Sequence, residues 1–189
     1  DYAAATPVDK NVAAAMSPYF SKIFGNPSSL HSFGQASSAA VFKARQKIAL
    51  ALGCDYKEIV FTGSATEANN LAIRGVLQEA KSEKRKMQNN GKLRVIISTI
   101  EHESINETCK DLERYGVEVV CMPVSKEGFI SLGQLQSALN ENTVLVSIIY
   151  ANNEIGIIQD IPKISNLLNA FRISLNAKRL TLNPIPYLH

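Results

Sequence analysis

Apolar residues recur every three or four positions across residues 32–52, at Phe33, Ala36, Ala40, Val41, Ala44, Ile48 and Leu52. That spacing predicts one amphipathic helix, and Gly53 follows as a natural stop. Residues 58–62, Glu-Ile-Val-Phe-Thr, predict a short strand, and helical spacing resumes over 66–78 through Asn70, Ile73 and Leu77. The polar stretch 79–92, with Asn89-Asn90-Gly91, reads as a fraying helix end and a turn. A strand follows at 94–99, then a helix at 102–115 with Ile105, Cys109 and Leu112 on one face and Gly116 as its cap, then a strand at 117–122. Ser131 is placed to cap a short helix bearing Leu132, Leu135, Ala138 and Leu139. Residues 143–149 form the most apolar strand, and the run from Val144 to Tyr150 suits a strand buried on both faces.

Strand and helix therefore alternate, and this predicts an α/β fold: a largely parallel sheet with flanking helices. In such sheets ligands gather beyond the carboxyl ends of the strands. The loops after Phe61, Thr99 and Tyr150 become the places to look for chemistry.

Composition narrows the class without changing this picture. At 189 residues, 46% apolar and 20% charged, the chain is of globular type, and no apolar run is long enough for a transmembrane helix. Cys54, Cys109 and Cys121 are widely spaced with no C-x-x-C pair, which gives neither a zinc motif nor a disulfide framework. The start, Asp1-Tyr2-Ala3-Ala4-Ala5-Thr6-Pro7, lacks the cationic and apolar regions of a secretory signal. A cytoplasmic location is the expectation, with an organellar matrix left open. The net charge of +3 equals the three basic residues after Ala170, namely Arg172, Lys178 and Arg179. A second basic stretch, 81–94, has six Lys or Arg against Glu83 but no aromatic residue to stack on bases, so it reads as a solvated helix end and no direct nucleic-acid binding is expected.

The first candidate loop, Thr62-Gly63-Ser64-Ala65-Thr66-Glu67, joins a predicted strand to a helix. Small residues let a ligand approach the backbone, and the N–H groups at a helix start favour an anion such as phosphate; a plain cap by Ser64 or Thr66 is the alternative. The loop has neither the Lys of a P-loop nor the glycines of a dinucleotide fingerprint. The second loop, Ile100-Glu101-His102-Glu103, sets an imidazole beside two carboxylates. Such a histidine either bonds structurally or stacks on a planar ligand and moves a proton. The third, Ala151-Asn152-Asn153-Glu154-Ile155-Gly156, offers two carboxamides at the end of the most buried strand.

Six segments in order carry a resemblance: residues 1–7; Phe24-Gly25-Asn26-Pro27-Ser28-Ser29; His31-Ser32-Phe33-Gly34; 58–70; Glu101-His102; and Asn152-Asn153-Glu154-Ile155-Gly156. Over about residues 1–168, and on through Ile158-Gln159-Asp160-Ile161, the chain resembles the cysteine desulfurases, pyridoxal-phosphate enzymes of the class V aminotransferase group with the type I fold. The resemblance implies that Ala65 and Thr66 bind the cofactor phosphate, that His102 stacks on the pyridine ring and takes part in proton transfer, and that Asn153 bonds the phenolic oxygen. Gly63-Ser64 stands where the family has Ser-Gly, and Ala5 where it often has Thr; small residues are kept in both places.

The resemblance further implies an arm over residues 1–12, the first part of a pyridoxal-phosphate large domain over 13–170, and a divergent tail over 171–189. The family's pyridinium Asp, Schiff-base Lys and persulfide Cys have no counterpart in that tail, where Lys178 lies in a different context, and Cys109 reads as a core residue. The expectation is a truncated cysteine desulfurase, inactive alone. The full family enzyme takes L-cysteine to L-alanine and passes a persulfide to iron–sulfur scaffold proteins and other sulfur acceptors, including tRNA thiolation partners, as a homodimer. The alternatives are another class V enzyme of the selenocysteine lyase kind, or a non-catalytic dimerisation fragment.

Overall fold

A computed structural model of the chain describes residues 1–82, 92–177 and 186–189. The chain divides into two compact units, Asp1–Thr62 and Gly63–His189. Most of the turn expected at 79–92, most of the basic stretch 81–94, and Lys178 lie outside the described residues.

The first unit is helical. Helix α1, Lys10–Ser21, has no counterpart in the periodicity reading; Asp9 caps it by accepting a hydrogen bond from the Asn11 N–H at 2.8 Å, and Pro18 lies inside its last turn. Helix α2, Ser32–Leu52, has the extent that the apolar spacing predicts, and Gly53 ends it in the left-handed conformation at φ 69°. Its apolar stripe is largely uncovered, with Phe33 60% and Leu52 69% exposed, while Gly34, Ser37 and Ala49 are the buried positions. Between α1 and α2 the chain folds tightly on itself. A Cβ on Gly25 would collide with the Phe33 carbonyl, and one on Gly34 with the Ser29 carbonyl and, at 2.7 Å, the Ser29 Cβ.

The strand expected at 58–62 does not form. Tyr56–Glu58 is a turn of 3-10 helix closed by a capping box between Asp55 and Glu58, and 59–62 joins no ladder among the described residues. Side chains of α2 hold this segment instead. Arg45 donates from Nε to the Ile59 carbonyl at 3.3 Å and stacks 5.1 Å from the Phe61 ring centre, and Phe42 meets Tyr56 edge-on at 5.4 Å. β propensity without a neighbouring strand leaves an extended segment, because the ladder supplies most of a strand's stability.

The second unit is the expected α/β layer structure. Helix α3 spans Ala65–Ser82, β1 Arg94–Ser98, α4 Glu103–Glu113, β2 Glu118–Met122, α5 Leu132–Ala138, β3 Thr143–Ser147, α6 Ile161–Ala177 and β4 Tyr187–Leu188. The strands pair in parallel in the order β2-β1-β3-β4. Helix α6 runs unbroken from position 170 into 171, the first residue of the expected tail, and β4 adds to the sheet beyond it.

Side chains alternate across the sheet, so each inner strand feeds two cores. Val95 and Ile97 pack with Ile73 and Leu77 of α3 and with Ile105, Cys109 and Leu112 of α4. Ile96 and Val146 pack on the other face with Leu135 of α5 and with Ile164 and Leu168 of α6. The amino ends of β1 and β2 are tied by Arg94, which grips both Glu118 oxygens at 2.7 and 2.9 Å and reaches the Ala138 carbonyl. This guanidinium holds the Glu118 carboxyl below its ordinary value.

Leu168 is fully buried in the second of these cores. Leu168→Ala is expected to destabilise the unit by about 2–5 kcal/mol through lost transfer energy and an unfilled cavity. A urea midpoint unchanged from the parent chain would contradict that packing.

Candidate active site

Several polar side chains of the second unit gather at the carboxyl ends of β1, β3 and β4. A cleft of about 400 Å³ opens there, a volume suited to a small cofactor or substrate. It is lined by Ala65 and Asn69 of α3, by Glu101, His102, Ser104 and Ile105 around the start of α4, by the run from Ser147 to Tyr150, and by His189.

One wall is the start of α3. Ser64 caps the helix by accepting the Glu67 N–H at 3.1 Å, and the Glu67 carboxylate reaches back to the Gly63 N–H at 2.7 Å. The cap and the anion site are thus not exclusive readings. Ser64 performs the capping, while Ala65 brings only a methyl group to the cleft at the first turn, where helix N–H groups favour an anion.

The opposite wall is the start of α4. His102 is its N-cap, exposed, with Nδ1 accepting the Ser104 N–H at 3.0 Å and lying 2.8 Å from Ser104 Oγ. An acceptor Nδ1 places the proton of the neutral ring on Nε2. Ser104 Oγ in turn accepts from Asn69 Nδ2 of α3 at 2.8 Å, so α3 steadies the imidazole through the serine.

Glu101 lines the cleft, and Asn152 ties the loop after β3 to the segment after β1. Glu101 is 9% exposed; its Oε1 accepts the Ile149 N–H at 2.7 Å and the Ser98 hydroxyl. Burial raises its carboxyl above the ordinary value, and these hydrogen bonds oppose that shift. Asn152 is buried, donates to the Ile100 carbonyl at 3.0 Å and accepts the Glu154 and Ile155 N–H groups. Beyond β4, His189 Nδ1 lies 2.9 Å from Ser147 Oγ, and burial lowers its imidazole below the ordinary value.

Of the four residues that the sequence singles out, the structure brings Ala65 and His102 to one cleft. Thr66 follows Ala65 in the first turn of α3, and Asn153 lies exposed on the turn after β3; neither is among the lining residues. Asn69, Ser104, Glu101 and Asn152 were not assigned roles from the sequence. The His-x-Ser spacing carries a signal for Ser104, but Asn69 is visible only once α3 and α4 are packed. Among the described residues no group of three His, Cys, Asp or Glu could hold a metal, and no helix is long and apolar enough to cross a membrane.

The model of the class V aminotransferases matches residues 1–175. The chain belongs to the class V aminotransferase family. Among curated relatives, it is 42% identical over 187 residues to cysteine desulfurase IscS of Dictyoglomus turgidum, covering 98% of this chain and 45% of that protein. It is 45% identical over 174 residues to IscS of Neisseria meningitidis serogroup C, covering 92% and 41%. The chain thus spans less than half the length of these relatives. A solved NifS-like protein superposes with a TM-score of 0.82 at 34% identity, covering 90% of this chain and 44% of that one. A structure described as SspA in complex with cysteine superposes at 0.80 with 40% identity, covering 92% and 47%.

Class V aminotransferases are pyridoxal-phosphate enzymes, and the cleft fits that group. It has a helix start for a phosphate, an imidazole whose ring is fixed by Ser104, and an apolar wall from Ile105 and Ile148.

The three thiols separate by environment. Cys109 is 1% exposed in the α4 core, where burial first and the Glu101 charge second push its thiol up to about 11. Cys121 is exposed and Cys54 intermediate. Brief treatment of the folded chain with iodoacetamide near pH 7.5 is expected to label Cys121 and to spare Cys109 until denaturant is added. Equal labelling of both in the folded chain would place Cys109 outside the core.

Proposed function

We propose that this chain forms the phosphate-binding and ring-facing part of a pyridoxal-phosphate-dependent cysteine desulfurase, the full enzyme converting L-cysteine to L-alanine and passing the sulfur on as a persulfide. The observation that carries the reading is the meeting of Ala65 and His102 in one cleft at the carboxyl ends of a parallel sheet. Identities of 42–45% to IscS proteins support cysteine as the substrate class.

Pyridoxal phosphate supplies an electron sink for bonds to the substrate α-carbon. The chain's own residues bind and orient. The N–H groups at the start of α3, with Ala65 and Thr66 in its first turn, receive the phosphate. His102, held at Nδ1 by Ser104, offers its ring face to the pyridine and keeps Nε2 available to give or take a proton. Asn153, beside the buried Asn152, supplies a carboxamide for the phenolic oxygen, as the family resemblance implies. The described residues around the cleft include no lysine. The full enzyme's sulfur acceptors are scaffold proteins for iron–sulfur clusters and other sulfur-acceptor proteins, including tRNA thiolation partners, and its expected state is a homodimer.

Titration of the purified chain with pyridoxal phosphate and with pyridoxal, followed by absorbance, tests the reading. Charge-assisted hydrogen bonds at the helix start are expected to favour the phosphate form by roughly tenfold or more. Ala65→Glu should abolish the preference by placing a carboxylate in the phosphate's position. Equal binding of the two compounds would overturn the assignment of the α3 start. With cofactor and L-cysteine added, the chain alone is expected to release no alanine; alanine and sulfide from the purified chain would refute its inactivity.

A further inference from the structure

We propose that Glu101 is a positioning residue for His102: its carboxylate clamps the carboxyl end of β1 to that of β3 and thereby fixes the start of α4, on which the imidazole stands. The inference rests on the reading of the cleft given above. Four hydrogen bonds meet on this residue and its neighbour. Oε1 of Glu101 takes the Ile149 N–H at 2.7 Å and the Ser98 hydroxyl, joining two strands that continue past their ladder. The Glu101 carbonyl takes Asn106 Nδ2 at 3.0 Å, tying the same residue to the first turn of α4. The carbonyl just before it, Ile100, takes Asn152 Nδ2 from the loop after β3 at 3.0 Å. His102 follows directly at φ −61° and ψ 149°, the extended geometry of an N-cap.

Among the described residues no cation stands beside this buried carboxylate, an unusual choice for a purely structural tie. The titratable groups facing Glu101 are His102 and Cys109 from the α4 segment, Cys121 from β2, Tyr150 beyond β3 and His189 beyond β4. Helix α3 brings Ala65 and Asn69, and no Lys or Arg lines the cleft among the described residues. An amide or hydroxyl could bridge two donors at lower desolvation cost. What a carboxylate adds is stronger acceptance of both donors at one oxygen, and so a stiffer junction. The raised value of its carboxyl means that the folded chain binds this proton more tightly than the unfolded chain. Stability relative to Glu101→Gln therefore falls as pH rises through the raised value and levels off above it.

The test is nitrogen-15 NMR of the full chain without cofactor, reading the His102 ring nitrogens and exchange of the Ile149 amide. In the parent chain the His102 shifts are expected to show one dominant tautomer, with the proton on Nε2. Glu101→Ala should raise Ile149 exchange at least about tenfold, the loss of one charge-assisted bond, and move the two ring nitrogens toward averaged shifts. Glu101→Gln, which keeps an oxygen acceptor, should restore most of both signals. Ser98→Ala, a milder loss of one donor, should produce a smaller change in the same direction and serves if Glu101→Ala does not fold. Unchanged His102 ring shifts in Glu101→Ala or Ser98→Ala, with only stability lowered, would reduce Glu101 to a structural residue and overturn the proposal. Because the readout uses no cofactor, loss of the phosphate preference in titration would defeat the functional reading while leaving this result standing.

Discussion

The pairing of β1 with β3, both buried on two faces, determines where chemistry can occur in the second unit. Val95, Ile96 and Ile97 align with Leu145, Val146 and Ser147 beneath helices on either side, so the strand interiors are apolar and the polar residues of the two strands, Arg94, Ser98, Thr143 and Ser147, stand at their ends. At the carboxyl end the two strands run on as Glu101 and Ile149, and the polar groups gathered there are shared between loops. At the amino end the corresponding role falls to Arg94, which closes the sheet with a bidentate ion pair to Glu118. One end is locked by charge, and the other is left as a cleft.

The cleft shows how a helix start can be a cap and a binding site together. Ser64 and Glu67 satisfy part of the first turn of α3 from outside the cleft, and Ala65 leaves its inner side unobstructed. Across from it, the His102, Ser104 and Asn69 chain makes the orientation of the imidazole a property of two helices. The fold supplies an anion-favouring dipole on one side and a tautomer-fixed ring on the other, which suits a planar phosphoester.

Much of this was legible in the sequence because the signals were local. Three- and four-residue spacing and a terminal glycine define α2, and Ile105, Cys109 and Leu112 mark the buried face of α4 as expected. Helix α1 escaped because its alanine-rich stretch and Pro18 give no clear stripe. The strand expected at 58–62 failed because a strand is defined by its partner, and no periodicity reports whether one is present. Ala65 and His102 are singled out by motif, whereas Asn69 and the double duty of Glu101 depend on contacts that exist only after α3, α4 and β3 have packed.

The clasp between Gly25 and Gly34 has an evolutionary meaning as well as a steric one. Each glycine leaves room that a nearby carbonyl then fills, Phe33 in the first turn of α2 for Gly25 and Ser29 of the loop for Gly34. A single substitution at either position meets main chain, which a change of rotamer elsewhere cannot clear. The loop is therefore closed to stepwise drift at these two positions, because any single replacement there requires the path of the backbone to move first.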